Sequence, residues 1–60
     1  MSIGLIIKYE RLKQDIKQTN LAKGICSISY LSKIEHNLVE PNPEIIELLL
    51  SRLNIKSKIT

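Results

Sequence analysis

Sixty residues with a net charge of +3, nine Lys/Arg against six Asp/Glu, make at most one small domain, near the size limit for folding without staples. That leaves no room for a separate catalytic domain. One cysteine, Cys26, and one histidine, His36, exclude an intramolecular disulfide and a four-ligand zinc site, and a lone thiol fits a reducing, cytosolic setting. The longest apolar runs, Leu5 to Ile7 and Leu48 to Leu50, are three residues long, far short of a membrane span, and no signal-peptide pattern opens the chain. A soluble, cytoplasmic protein without cofactor is expected. The mild positive charge leans toward a polyanionic partner without deciding it. With Tyr9 and Tyr30 as the only aromatics, the chain lacks the stacking platforms of a single-strand binder.

Ile3, Ile7 and Arg11 fall on one helical face with Leu12 beside them, which predicts a first helix from Ile3 to Lys13. Asp15 suits the turn that follows, because Asp tolerates left-handed geometry. A second helix is expected from Gln18 to Gly24, burying Leu21 and Ala22, the latter small enough for a close helix crossing. Ser27 is a good N-cap for a third helix that buries Leu31 and Ile34 and ends near His36 and Asn37. Glu40 to Pro43 marks a loop in which Asn42 caps and Pro43 takes the first position of a fourth helix, running to about Leu53. No strand alternation, repeat or Gly/Ser linker is present. The expected fold is all-α, a small bundle of four to five helices. Residues 1–55 form the domain, and 56–60, with Lys56 and Lys58, form a basic tail or the start of a linker.

Gln18 to Asn37 thus holds two short helical patterns and one tight break, the layout of a helix-turn-helix. In such a unit the first helix lies over the nucleic-acid backbone and the second enters the major groove. The wider motifs agree. Ile-Gly-x-x-Ile-Lys-x-x-Arg from Ile3 to Arg11, Gln-x-x-Leu-Ala from Gln18 to Ala22, Leu-Ser-Lys-Ile-Glu from Leu31 to Glu35, Pro41, and Leu-x-Ile at Leu53 to Ile55 occur in order. Together they resemble the DNA-binding domain of the Cro/phage-repressor (XRE) family, with a lambda-repressor-like bundle. Lys23 to Ser27, Lys-Gly-Ile-Cys-Ser, looks like the PlcR and Rgg type of peptide-pheromone-responsive regulators. The resemblance implies a bacterial or phage transcriptional regulator, or its N-terminal domain followed by a C-terminal sensor domain. Three departures stand out. The turn between helices two and three is one residue shorter than the family's, with Cys26 near the place of its glycine; Lys17 stands where a Ser or Thr normally caps; and the sequence runs to Lys-Ser-Lys-Ile-Thr where the family normally continues into a fifth helix, as expected either of a short protein or of a piece of a longer regulator.

The resemblance implies that Arg11 and Glu35 form a partly buried ion pair and that Gln18 hydrogen-bonds a phosphate. Ser27, Ile28, Ser29 and Tyr30 occupy the first turn of helix three, where side chains meet base edges. Ser29 can bond donors or acceptors, Ile28 can cover a thymine methyl, Tyr30 can reach a base or a phosphate, and Ser27 fits a cap better than a reader. Ser32, Lys33, His36 and Asn37 follow on the same helix. Lys33 fits a phosphate contact, His36 a backbone contact and Asn37 a terminator. For each of these the alternative is a plain solvated side chain. Few of them make bidentate base contacts, so DNA shape and paired half-sites carry much of the expected specificity. Cys26 is expected in the core.

Ile45, Ile46, Leu48, Leu49, Leu50 and Leu53 cover roughly 200° of helix four, about twice the stripe a surface helix needs. Helix one adds Leu5 and Ile6 where the family tends to carry charge. The surplus, centred on Leu5, Ile6, Ile45 and Leu48, predicts a homodimer contact or a docking face for a further domain. A homodimer matches a palindromic double-stranded operator. The competing reading is a protein-interaction module of antirepressor or antitoxin kind that uses the helix-four face. No carboxylate pair, activated nucleophile or metal set points to an enzyme.

Overall fold

The computed structural model describes residues 2–55, and the expected basic tail lies outside them. Four helices follow one another: α1 (Ile3–Lys13), α2 (Gln18–Ala22), α3 (Ile28–Glu35) and α4 (Pro43–Arg52), with no strand among the described residues. Three start at side-chain caps, each satisfying an otherwise orphaned backbone donor. Ser2 Oγ accepts from Leu5 N–H at 3.2 Å, Ser27 Oγ from Tyr30 N–H at 3.0 Å and Asn42 Oδ1 from Glu44 N–H at 2.7 Å. Lys17, at the start of α2, makes no such bond.

The C-terminal ends divide in the same way. α1, α3 and α4 each stop at a left-handed residue, Asp15 (φ 60°), Asn37 (φ 60°) and Asn54 (φ 63°). At each, two reversed backbone bonds close the end: Asp15 and Ile16 donate to Leu12 and Arg11, Asn37 and Leu38 to Ile34 and Lys33, Asn54 and Ile55 to Ser51 and Leu50. This is the Schellman arrangement, built on the short polar residues that tolerate positive φ best after glycine. α2 ends differently, and earlier than the expected Gly24. Lys23 turns out of the helix (φ −57°, ψ 125°) and Gly24 takes φ 78°, so the second helix has only five residues.

Ile7, Leu21, Ala22, Leu31, Ile34, Leu49, Leu50 and Leu53 form the core. α3 packs against α1 and α2, and α2 packs against α4. Gly4 is buried where α1 lies against the end of α3: a Cβ there would strike the Ile34 carbonyl oxygen and stand 2.9 Å from Asn37 Oδ1. Gln14 Nε2 donates to the Leu53 carbonyl at 2.7 Å and ties the end of α1 to the end of α4. Leu12, placed beside the buried face by periodicity, is instead 58% exposed.

Cys26 is half-buried at the margin of the core rather than inside it. Burial raises its thiol pKa above the ordinary range, since desolvation disfavours the thiolate. Cys26 should therefore react with a disulfide reagent at pH 7 to 8 more slowly in the folded protein than in urea. A folded-state rate equal to or above the unfolded one would mark an activated thiol instead.

Candidate nucleic-acid interface

The expected ion pair is the polar centre of the molecule. Arg11 Nε donates to Glu35 Oε2 at 2.7 Å and Nη2 to Oε1 at 3.0 Å, while Nη1 donates to the Ile16 carbonyl at 3.0 Å. Arg11 is 8% and Glu35 2% exposed. A fourth bond enters from α2, where Gln18 Nε2 donates to Glu35 Oε1 at 3.0 Å. One carboxylate thus receives donors from α1 and from the first residue of α2 while it sits at the last residue of α3. No buried side-chain polar atom among the described residues lacks a partner, which is the condition under which a buried pair is tolerated. Gln18 keeps its second amide hydrogen for another acceptor.

On α3, Leu31, Ile34 and Glu35 turn inward. Ser29, Lys33 and His36, spaced by four and three residues, follow one another along the opposite side, and all three are exposed, with half-buried Ser32 beside them. Ile28 is 47% exposed at the start of the helix. His36 Nδ1 lies 2.8 Å from the Ser32 carbonyl oxygen, which requires a protonated Nδ1 and leaves Nε2 for an outside partner. Ser27 spends its hydroxyl on the cap, and Asn37 forms the left-handed stop of α3.

Tyr30 stands apart from this row. Its ring packs half-buried against the core and its hydroxyl lies 3.4 Å from Asn42 N–H, in the segment leading into α4. The side chain therefore bridges α3 to the following loop, off the line of Ser29, Lys33 and His36.

Of the four apolar surface residues, two stand on α1 and two on α4. Leu5 and Ile6 line a shallow groove with Tyr9 and Glu10, all on α1. Leu5, Tyr9 and Leu12, exposed in turn at helical spacing, continue it as a stripe opposite the side of α1 that carries buried Ile7 and Arg11. On α4, Leu49 and Leu50 are buried, Ile45 and Ile46 are half-buried, and Leu48 is 51% exposed. Much of the wide apolar arc is consumed by the core. Among the described residues no helix is long and apolar enough to cross a membrane, and no cluster of His, Cys, Asp or Glu could hold a metal ion.

Two short helices, joined by a tight turn and locked together through Glu35, with a row of exposed polar and basic side chains on the second, define a helix-turn-helix unit. The chain belongs to the helix-turn-helix family whose model matches residues 7–58, the type its sequence motifs resemble. It is also similar to the transcriptional activator NprA of Geobacillus stearothermophilus, with 54% identity over 37 residues, 62% of this chain and 9% of that protein. The chain thus covers only a small part of that relative's length. No solved structure matches it significantly.

Sequence reasoning missed three residues that shape the unit. Ser2 caps α1, and any Ser before an apolar-periodic run carries that signal. Gly4 stood in a quoted motif without a reason, which the α1 to α3 approach now supplies. Arg52 had no local signal.

Proposed function

We propose that this chain binds double-stranded DNA as a bacterial or phage transcription regulator, or as the DNA-binding domain of one, spanning residues 1–55. α3 lies in the major groove and α2 over the backbone. The observation that carries this reading is the row of Ser29, Lys33 and His36 on the outer side of α3, in a unit whose α2 begins at Gln18 and whose two helices are fixed to each other through Glu35. Ile28 and Ser29 meet base edges; Lys33, Gln18 and His36 Nε2 meet phosphates. Ser32 supports the row from its edge, Ser27 and Asn37 delimit the helix, and Tyr30 sets the flank. Family membership and the similarity to a protein named as a transcriptional activator support the reading. Regulation in the cytoplasm, pairing into a homodimer on a palindromic operator, and a C-terminal sensor domain of the PlcR or Rgg kind belong to the same proposal.

The test is selection from a random duplex library, followed by binding at increasing salt. Enrichment of a two-fold motif with steeply salt-dependent affinity is expected. Lys33→Ala should weaken all sequences alike and flatten the log–log salt dependence by about 0.9, the share of one phosphate contact. Absence of any enriched motif would overturn the DNA reading in favour of a protein-interaction module. That second reading has one specific observation behind it, the exposed stripe of Leu5, Tyr9 and Leu12 on α1, which together with Leu48 is also where a dimer or a further domain would dock.

A further inference from the structure

α2 is the helix that does not end in a Schellman arrangement: it leaves through a tight turn at Lys23 and Gly24, closed by the bond from Ile25 N–H to Ala22 O. A helix leaves its last carbonyls without intrahelical partners, and in a helix of five residues these make up most of its length. Thr19 O accepts from Lys23 N–H at 3.1 Å, and Ala22 O accepts from both Ile25 and Cys26 N–H at 2.8 and 3.0 Å. Three carbonyls remain: Asn20, Leu21 and Lys23. All three turn to one group, Nη1 of Arg52 on α4, at 3.2, 3.5 and 2.5 Å. The last turn of α2 has no basic residue, so this guanidinium also supplies the positive charge that a helix C-terminus favours. Among the described residues, none of the contacts made by Arg52 is to a carboxylate.

We propose that Arg52 is a positioning residue for DNA recognition, which sets the entry of α3 by clamping the end of α2 and the turn at Lys23. The proposal rests on the DNA-binding reading above. The turn it holds contains Gly24 at φ 78° with open space around its α-carbon, and the backbone bonds from Ile25 and Cys26 both converge on Ala22 O, which leaves the carbonyls on either side of Ala22 to Arg52. Arg52 lies on α4, outside the α2–α3 unit, and acts through the end of α2 and the turn that follows it.

The experiment compares wild type, Arg52→Met, which keeps length but no donors, and Arg52→Lys, which keeps charge and donors. Amide hydrogen exchange is measured along the chain, together with affinity for the selected duplex and its salt dependence. In Arg52→Met the amides of Ile25 and Cys26 should exchange at least ~10-fold faster relative to those of Leu31 and Leu49. Duplex affinity should drop about 10-fold with an unchanged salt slope, since no phosphate contact is lost, and Arg52→Lys should recover part of both. A salt slope reduced by about one with turn exchange unaltered would make Arg52 a phosphate contact and overturn the clamp. Uniform acceleration of every amide would reduce it to general stabilisation, and unaltered affinity despite a loosened turn would remove its role in recognition. If wild type itself binds no duplex, the DNA reading fails, while the exchange data still decide whether Arg52 holds the turn.

Discussion

Arg11→Ala is expected to abolish cooperative thermal unfolding. The substitution removes three of the hydrogen bonds that organise the interior, two to Glu35 and one to the Ile16 carbonyl. Glu35, 2% exposed, would keep only the Gln18 amide as a donor. Breaking one partner out of a buried pair costs about 3 to 5 kcal/mol, because the remaining charge stays desolvated. A domain of this size sits toward the low end of the usual ~5 to 15 kcal/mol of total stability, so that loss leaves little or nothing. Circular dichroism against temperature reads the outcome directly, and a sigmoidal melt near the wild-type midpoint would show that the pair is dispensable. The double substitution Arg11→Met with Glu35→Leu separates burial from charge. Apolar replacement of both partners is often neutral or stabilising, so the double variant should melt cooperatively again. It should still bind DNA less well, because Gln18 loses the acceptor that fixes its orientation at the head of α2.

The helices that govern their own ends were the ones legible in the sequence. α1 begins and ends where periodicity and the turn residue Asp15 placed it, and Ser27, Asn37, Asn42 and Pro43 bound α3 and α4 by local capping chemistry. The end of α2 was legible only in part: Gly24 marks the turn, but not that the helix stops at Ala22, where the carbonyls of Asn20, Leu21 and Lys23 are satisfied by a side chain 29 to 32 residues away. The candidate interface divides the same way. Helical spacing alone puts Ser29, Lys33 and His36 in one row, whereas the inward lean of Tyr30 depends on where the chain returns before α4. The breadth of the α4 stripe overstated the free apolar surface, because a helix in contact with α2 and with the end of α1 buries more than one side.

Gly4→Ala should lower the melting temperature by about 10 °C, although the substitution raises intrinsic helix propensity by roughly 1 kcal/mol. Two effects oppose each other. On an isolated helix alanine wins, but here the added methyl falls onto the Ile34 carbonyl oxygen and within 2.9 Å of Asn37 Oδ1. The Ile34 oxygen is backbone, and it accepts the Asn37 N–H bond at 3.1 Å that closes α3, so it cannot yield without opening the terminator. α1 must move instead, and with it Arg11 on the same helix, whose bonds to Glu35 tolerate little displacement. Overpacking of this kind costs about 1 to 3 kcal/mol, and the loss of hydrogen-bond geometry at a buried charge pushes the net effect to about 2 kcal/mol of destabilisation. Faster amide exchange at Asn37 and Leu38 than at Leu49 would locate the damage at the α1 to α3 contact. A melt at or above the wild-type temperature would mean that α1 slides over α3 without disturbing it, and the rigid coupling of the first helix to the recognition helix would have to be given up.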